Sequence, residues 1–203
     1  MPTRRQRPLS SSFYARPALD VARDLLGAVL VIEEAGRRQA GKIVEVEAYV
    51  GPEDLACHAS KGRTARTDVL FGPPGRAYVY LVYGLHELFN VVTGPEGHAA
   101  AVLIRGLEPL EGIAPGVRLD GPARLTRALG IDRTHNRLPL DRAPLYLLPG
   151  RQVPEAEVSR GPRIGVDYAG PWAQAPYRLW ITGNPHVSRA PGRPAGPRRP
   201  VAT

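Results

Sequence analysis

The chain has 203 residues, with 27 Lys and Arg against 19 Asp and Glu, a formal net charge of +8 and one cysteine, Cys57. That length supports one domain with a self-sufficient core, and a lone cysteine excludes both a disulfide scaffold and a cysteine-rich zinc site, which suits a reducing compartment. No apolar run approaches the roughly 20 residues of a membrane span, and the Arg-rich start has no apolar stretch behind it to make a signal peptide; the expectation is a cytoplasmic, monomeric protein, nucleoid-associated if bacterial, with no membrane partner.

Residues 1–16 hold Arg4, Arg5, Arg7 and Arg16 without an acid and read as a flexible basic arm. Residues 18–26 read as a helix, with Pro17 at the first turn, Leu19, Ala22 and Leu25/Leu26 on one face and Gly27 as the stop. Residues 28–32 and 42–50 read as strands around the turn Glu34-Ala-Gly-Arg-Arg. Pro52-Glu-Asp predicts a short helix running toward His58, with Glu53 and Asp54 at the positive end of its dipole, and 60–68 is a polar loop. Residues 77–82 and 88–93 are strands joined through Tyr83-Gly84, followed by a strand at 99–105. Pro122 and Gly130 bracket a short helix with Arg124 and Arg127 on one face. Further strands are predicted at 145–148, 163–166 and 177–181, and 189–203 reads as a flexible Arg/Pro/Gly tail.

Strands in hairpin order predict an α+β protein: a single domain over 17–188 with a mainly antiparallel sheet and short flanking helices. Setting aside the eight arginines of the two ends leaves 19 basic and 19 acidic residues, so the core is formally neutral and the basic excess lies in arms suited to loose phosphate binding, or to no role beyond solubility.

Alternation along 43–50 sends Val44, Val46, Ala48 and Val50 to one face and Glu45, Glu47 and Tyr49 to the other. The first face packs and the second is chemically capable, although a solvated strand face is the plain alternative. Tyr78 and Tyr80 share a face of the next hairpin and suit either core or stacking. Tyr83 is different, because turn tips normally carry small polar residues; a large aromatic there suggests insertion into something such as a base stack.

In collinear order, Leu26-Gly-Ala-Val-Leu-Val, Gly41-Lys-Ile-Val-Glu-Val-Glu-Ala-Tyr-Val-Gly-Pro-Glu-Asp, Ala56-Cys-His-Ala-Ser, Gly75-Arg-Ala-Tyr-Val-Tyr-Leu-Val-Tyr-Gly, Phe89-Asn-Val-Val, Ala101-Val-Leu-Ile-Arg-Gly-Leu-Glu-Pro-Leu-Glu-Gly, Gly121-Pro-Ala-Arg-Leu and Pro162-Arg-Ile-Gly-Val-Asp-Tyr-Ala-Gly run through most of 18–188. This set resembles the alkyladenine (3-methyladenine, alkylpurine) DNA glycosylases, the monofunctional mammalian-type enzymes of base-excision repair. The resemblance implies a curved sheet with a protruding β-hairpin, no cofactor and no metal, and double-stranded DNA containing damaged purines as the partner. It also implies that Glu47 activates the attacking water, that Arg105 and the backbone carbonyl of Val166 help hold that water, and that Tyr49 and Tyr80 sandwich the base. His58 would touch the base edge, Asn90 would crowd the 2-amino group of normal guanine, and Tyr83 would fill the hole left in the duplex.

Each of these residues has a plainer reading. His58 also suits a hydrogen-bonded structural histidine, Arg105 a buried partner of Glu47, Asn90 an ordinary strand residue and Cys57 a small filler. Glu87, close to Tyr83, would meet DNA unfavourably unless it points away. Three rival functions remain: metal chemistry, disfavoured because the five histidines show no ligand spacing; a noncatalytic nucleic-acid binder using Arg124, Arg127, Arg133 and Arg137; and imine chemistry at Pro2, disfavoured by its distance in sequence from the pocket residues.

Overall fold

The structure, a computed structural model, describes residues 6–188. The readings made on Pro2, Arg4, Arg5 and the tail 189–203 lie outside the described residues. In chain order the elements are α1 (Ser11–Tyr14), α2 (Ala18–Leu25), β1 (Val29–Glu34), β2 (Arg37–Tyr49), β3 (Ala77–Val82), β4 (His86–Thr93), β5 (Ala100–Glu111), α3 (Pro122–Leu129), β6 (Asp141–Arg142), β7 (Leu145–Leu148), β8 (Val158–Gly161) and β9 (Arg178–Ile181), with short 3-10 turns between them. All strand pairs are antiparallel; the sheet runs β3-β4-β5-β2-β1-β7-β6, and β9 adds to β2 while pairing with β8.

Period-two alternation divides β3, β4 and β5 between two faces. Val79, Phe89, Val91, Val102 and Ile104 join the main core, where α2 (Val21, Ala22, Leu25) and α3 (Leu125, Leu129) cover the sheet. Tyr78, Val92 and Ala101 face the other way and build a second cluster with Cys57, Val69 and Leu70 from the loops. Because loops, not solvent, cover that second face, carboxylates placed on it are buried.

Strand β2 does not alternate evenly. Its register with β5 shifts on either side of Glu45, so that Ile43 and Val46 both join the main core and Val44, expected there, is left at the irregularity. The same point is where β2 changes partner: residues 37–42 pair with β1, and Glu45, Val46 and Glu47 pair with β9. A bulge bends and twists a strand locally, and this one brings Glu45 and Glu47 between β5 and β9.

Three other expectations are corrected. The helix predicted after Pro52 is a set of turns, because Asp54 accepts backbone N–H bonds from Val50 and Ala56 and so organises a loop; a 3-10 turn forms only at His58–Lys61. No strand forms at 163–166; the strand in that region is Val158–Gly161, before Pro162, whose missing N–H suits a ladder's end. A flexible arm over 1–16 is expected, yet Leu9 donates its backbone N–H to the Leu147 carbonyl and Tyr14 is buried in the main core, so the folded domain already includes residues 9–14. Among the described residues no helix is long and apolar enough to cross a membrane.

Candidate active site

One row of paired residues crosses five strands: Tyr78 of β3 opposite Asn90 of β4, Asn90 opposite Leu103 of β5, Leu103 opposite Glu47 of β2, and Glu47 opposite Arg178 of β9. Directly paired residues project to the same side of a sheet. The row therefore sets the tyrosine hairpin, Asn90 and the Glu47 strand on one face, beneath a cavity of about 410 Å³. Tyr49, His58, Tyr80, Asn90, Arg105 and Val166 line it, together with Tyr83 at its rim. Seven of the eight residues singled out from the sequence thus share one cavity wall.

The eighth, Glu47, lies fully buried behind that wall. Its Oε1 accepts a 2.7 Å hydrogen bond from the Ile164 backbone N–H and pairs with Arg105 Nη1 at 3.2 Å, while its Oε2 accepts from the Tyr49 hydroxyl at 3.0 Å. Burial, and then the neighbouring Glu47 charge, push the Tyr49 hydroxyl well above its ordinary pKa, so it stays protonated and remains a donor. An ionised carboxylate offers about four acceptor positions. Two hydrogen bonds and the ion-pair contact with Arg105 leave room for a further donor, such as a water.

Burial opposes the charge on Arg105, but Glu47 and Glu45 outweigh it and raise its pKa, which keeps this guanidinium cationic. The Val166 carbonyl accepts from Ala169 N at 2.9 Å and retains a second lone pair. His58 is pushed down to about 4, chiefly by burial and then by the nearby cations Arg66 and Lys61, so its ring is neutral at pH 7. Its Nδ1 lies 2.9 Å from the Tyr78 hydroxyl, leaving Nε2 for a ligand. Asn90 Nδ2 donates to the Tyr78 carbonyl at 3.2 Å, which fixes the carboxamide.

The hairpin tip is strained. Tyr83 takes φ 51° and Gly84 φ 69°, the pair of positive values that a tight primed turn demands. For a bulky aromatic that conformation is unfavourable by roughly 1–2 kcal/mol, and the ring gains no packing in return, being 91% exposed, with Leu85 beside it 78% exposed. Glu87 turns away from this tip and pairs with Arg133 at 3.0 Å, which removes the expected conflict with a polyanion.

Three groups were given no role in the site from the sequence. Arg163 and Asp54 form a bidentate ion pair, both side chains fully buried, at 2.5 and 2.8 Å, and the guanidinium stacks under Tyr49 at 4.8 Å and Tyr177 at 5.2 Å. Asp54 therefore orders a loop and a platform, not a helix start. Arg66, from a loop with no periodic signal, lines the cavity and lies 4.8 Å over the Tyr80 ring. Glu45, paired with Arg105 at 3.2 Å and Arg178 at 2.7 Å, has no solvent exposure at all. Only Glu45 carried a signal, its parity with Glu47.

Rival readings meet specific obstacles. Arg124, Arg133 and Arg137 are engaged with Asp120, Glu87 and Asp68, so the supposed basic cluster is largely neutralised by its own neighbours. Burial pushes the Cys57 thiol up to about 11, which suits a filler and not a nucleophile. Among the described residues no three His, Cys, Asp or Glu side chains gather closely enough to hold a metal ion.

Comparison with known proteins gives a concordant result. Residues 12–185 match the family model described as methylpurine-DNA glycosylase. A Myxococcus xanthus protein is 62% identical over 193 residues, covering 95% of this chain and 98% of its own. An Anaeromyxobacter protein is 50% identical over 185 residues, covering 91% and 94%, and one from Legionella pneumophila 45% over 183, covering 90% and 99%. All three carry the name "Putative 3-methyladenine DNA glycosylase".

Proposed function

The chain belongs to the methylpurine-DNA glycosylase family and is a DNA glycosylase of DNA repair, and from that premise we propose that it acts as a monomer, flips alkylated or deaminated purines out of duplex DNA into the aromatic cavity, and hydrolyses the N-glycosidic bond with a water activated by Glu47. The observation that carries this reading is a fully buried carboxylate with one acceptor position free, set against a cavity whose rim bears an exposed tyrosine on a strained turn.

Breaking an N-glycosidic bond builds positive charge on the sugar while water attacks C1′. Glu47 answers both demands, taking the proton of the water and stabilising the developing cation. Arg105 and the Val166 carbonyl orient the water. Tyr49 and Tyr80 stack on the base, and the neutral His58 presents Nε2 to its edge. Alkylated purines pair poorly and leave readily, so selectivity comes in part from easy extrusion. Incubation with duplex DNA bearing one hypoxanthine or ethenoadenine, followed by mild alkali, tests the reading; strand cleavage at the lesion supports it, and stable binding without abasic sites would show a noncatalytic binder.

Tyr83→Ala removes the group that would occupy the vacated stack, so the flipped base returns more readily. Affinity for ethenoadenine duplex is expected to fall about tenfold, the order of a stacking contact worth ~1–3 kcal/mol, and excision to slow. Unchanged fluorescence of the flipped ethenoadenine would count against the wedge.

Asn90 tests discrimination. If its fixed carboxamide crowds the guanine 2-amino group, Asn90→Ser raises guanine release relative to hypoxanthine, which lacks that group, on the order of tenfold as for one small steric mismatch. The check is a pair of single-turnover assays on matched duplexes. An unchanged ratio refutes the gate.

A further inference from the structure

Behind the cavity lies a second buried carboxylate that the mechanism above does not use. Glu45 Oε1 accepts from Arg105 Nε at 3.2 Å, Arg178 Nε at 2.7 Å and Ser188 Oγ at 2.8 Å, and its Oε2 accepts from the Ser188 backbone N–H at 2.5 Å. Arg105 Nη2 also reaches Ser188 Oγ at 3.3 Å, and Arg178 Nη2 donates to the Ser188 carbonyl at 3.1 Å. Ser188 thus engages the cluster through its amide, its hydroxyl and its carbonyl.

We propose that Glu45, Arg178 and Ser188 are positioning residues that hold the Arg105 guanidinium so that Nη1 alone addresses Glu47, leaving Glu47 an acceptor position for water. The inference rests on the reading of Glu47 as the base. A guanidinium is a flat fork that pairs preferentially with a carboxylate through two parallel hydrogen bonds. Were Arg105 free to turn, a two-pronged bond to Glu47, added to those from Tyr49 and Ile164, would fill all of about four acceptor positions and leave none for water. Glu45 and Ser188 prevent this by engaging Nε and Nη2, which leaves Nη1 for the 3.2 Å contact with Glu47.

Charge balance leads to the same conclusion. Glu45, Glu47, Arg105 and Arg178 together sum to zero in a buried setting, where an uncompensated charge is costly. With Glu45 neutral, Glu47 becomes the remaining counterion for two guanidiniums and draws Arg105 onto itself. The backbone is arranged for the arrangement described: Gly106 lacks a Cβ, which if present would lie 2.7 Å from the His186 carbonyl and 3.2 Å from Glu45 Cβ. Only glycine at 106 lets the segment after β9 lie close on β5 and bring Ser188 onto Glu45.

The charged and titratable groups that face Glu47 are Tyr49 on its own strand, Arg105 of β5, Arg178 of β9, Arg163 of the loop after β8, and Tyr80 of β3. Removing the Glu45 charge leaves the positive members of this set in place. Without Glu45 to hold it, Arg105 among them turns onto Glu47 and takes the acceptor position that water needs.

The test is single-turnover excision of hypoxanthine from a duplex by the full chain, with affinity measured in parallel. Glu45→Gln is expected to slow excision ~10–100-fold, the scale of a misplaced catalytic group, and to keep lesion-DNA affinity near wild type. Glu45→Asp recovers part of the rate. Ser188→Ala, which keeps the backbone donor and the fold, slows excision less but in the same pattern. A wild-type rate in both Glu45→Gln and Ser188→Ala would overturn the proposal, as would rate and affinity falling together. Should Glu45→Gln fail to fold, Ser188→Ala decides alone. An active Glu47→Gln would instead sink the base itself, so the two failures are distinct.

Discussion

Glu47→Gln is expected to leave a folded protein that binds lesion-bearing duplex as tightly as wild type and excises the base ~10²–10⁴-fold more slowly, the range over which positioned acid and base groups accelerate reactions. The fold survives because the amide replaces the carboxylate nearly atom for atom. Its oxygen still accepts from Ile164 N and faces Arg105 Nη1, and its NH₂ turns to the Tyr49 hydroxyl, which can accept as well as donate. What is lost is proton affinity and negative charge, both needed only as the bond breaks, so binding is spared. Single-turnover kinetics beside a binding isotherm separate the two effects; excision within tenfold of wild type would remove Glu47 as the base.

The largest effect on stability is expected at Asp54 and Arg163. Both side chains are fully buried, and either one without the other leaves an uncompensated charge, which costs ~3–5 kcal/mol. Against a total of about 5–15 kcal/mol, Asp54→Ala or Arg163→Ala lowers the melting temperature on the order of 10 °C. Replacing both by apolar residues of similar volume, Asp54→Leu with Arg163→Met, recovers much of that loss, because no orphan charge remains. Thermal melts of the three variants check this. Activity is not recovered in the double variant, since the Arg163 platform under Tyr49 is gone. A double variant no more stable than the singles would show that the pair stabilises by more than mutual neutralisation.

These two sites differ in how far they could be read in advance. Strand parity put Glu47 on one face with Glu45 and Tyr49, and the family resemblance implied its role as base; that face survives because 45–47 pair in regular register with β9 beyond the bulge. Arg163 carried no such pattern, and its predicted strand does not exist; its partner Asp54 lies 109 positions away. Pairings of that kind follow from how loops close over a sheet, which no local period encodes.

Locally encoded features came through well. The strands β3, β4 and β5, the shared face of Tyr78 and Tyr80, the helix bracketed by Pro122 and Gly130 and the Tyr83-Gly84 turn were all legible, because each depends on residues within a few positions of one another. Three matters were decided by tertiary structure alone. The bulge at Glu45 overturned the parity of Val44, because β2 must bend to exchange β1 for β9. The loops covering the second face turned Glu45 and Glu47 from strand carboxylates into fully buried ones. The register from Tyr78 through Asn90, Leu103 and Glu47 to Arg178 aligned five separate segments into one row. Composition and period state which face a residue takes, but burial and register depend on what packs against that face, and for this protein those contacts join residues far apart in the chain.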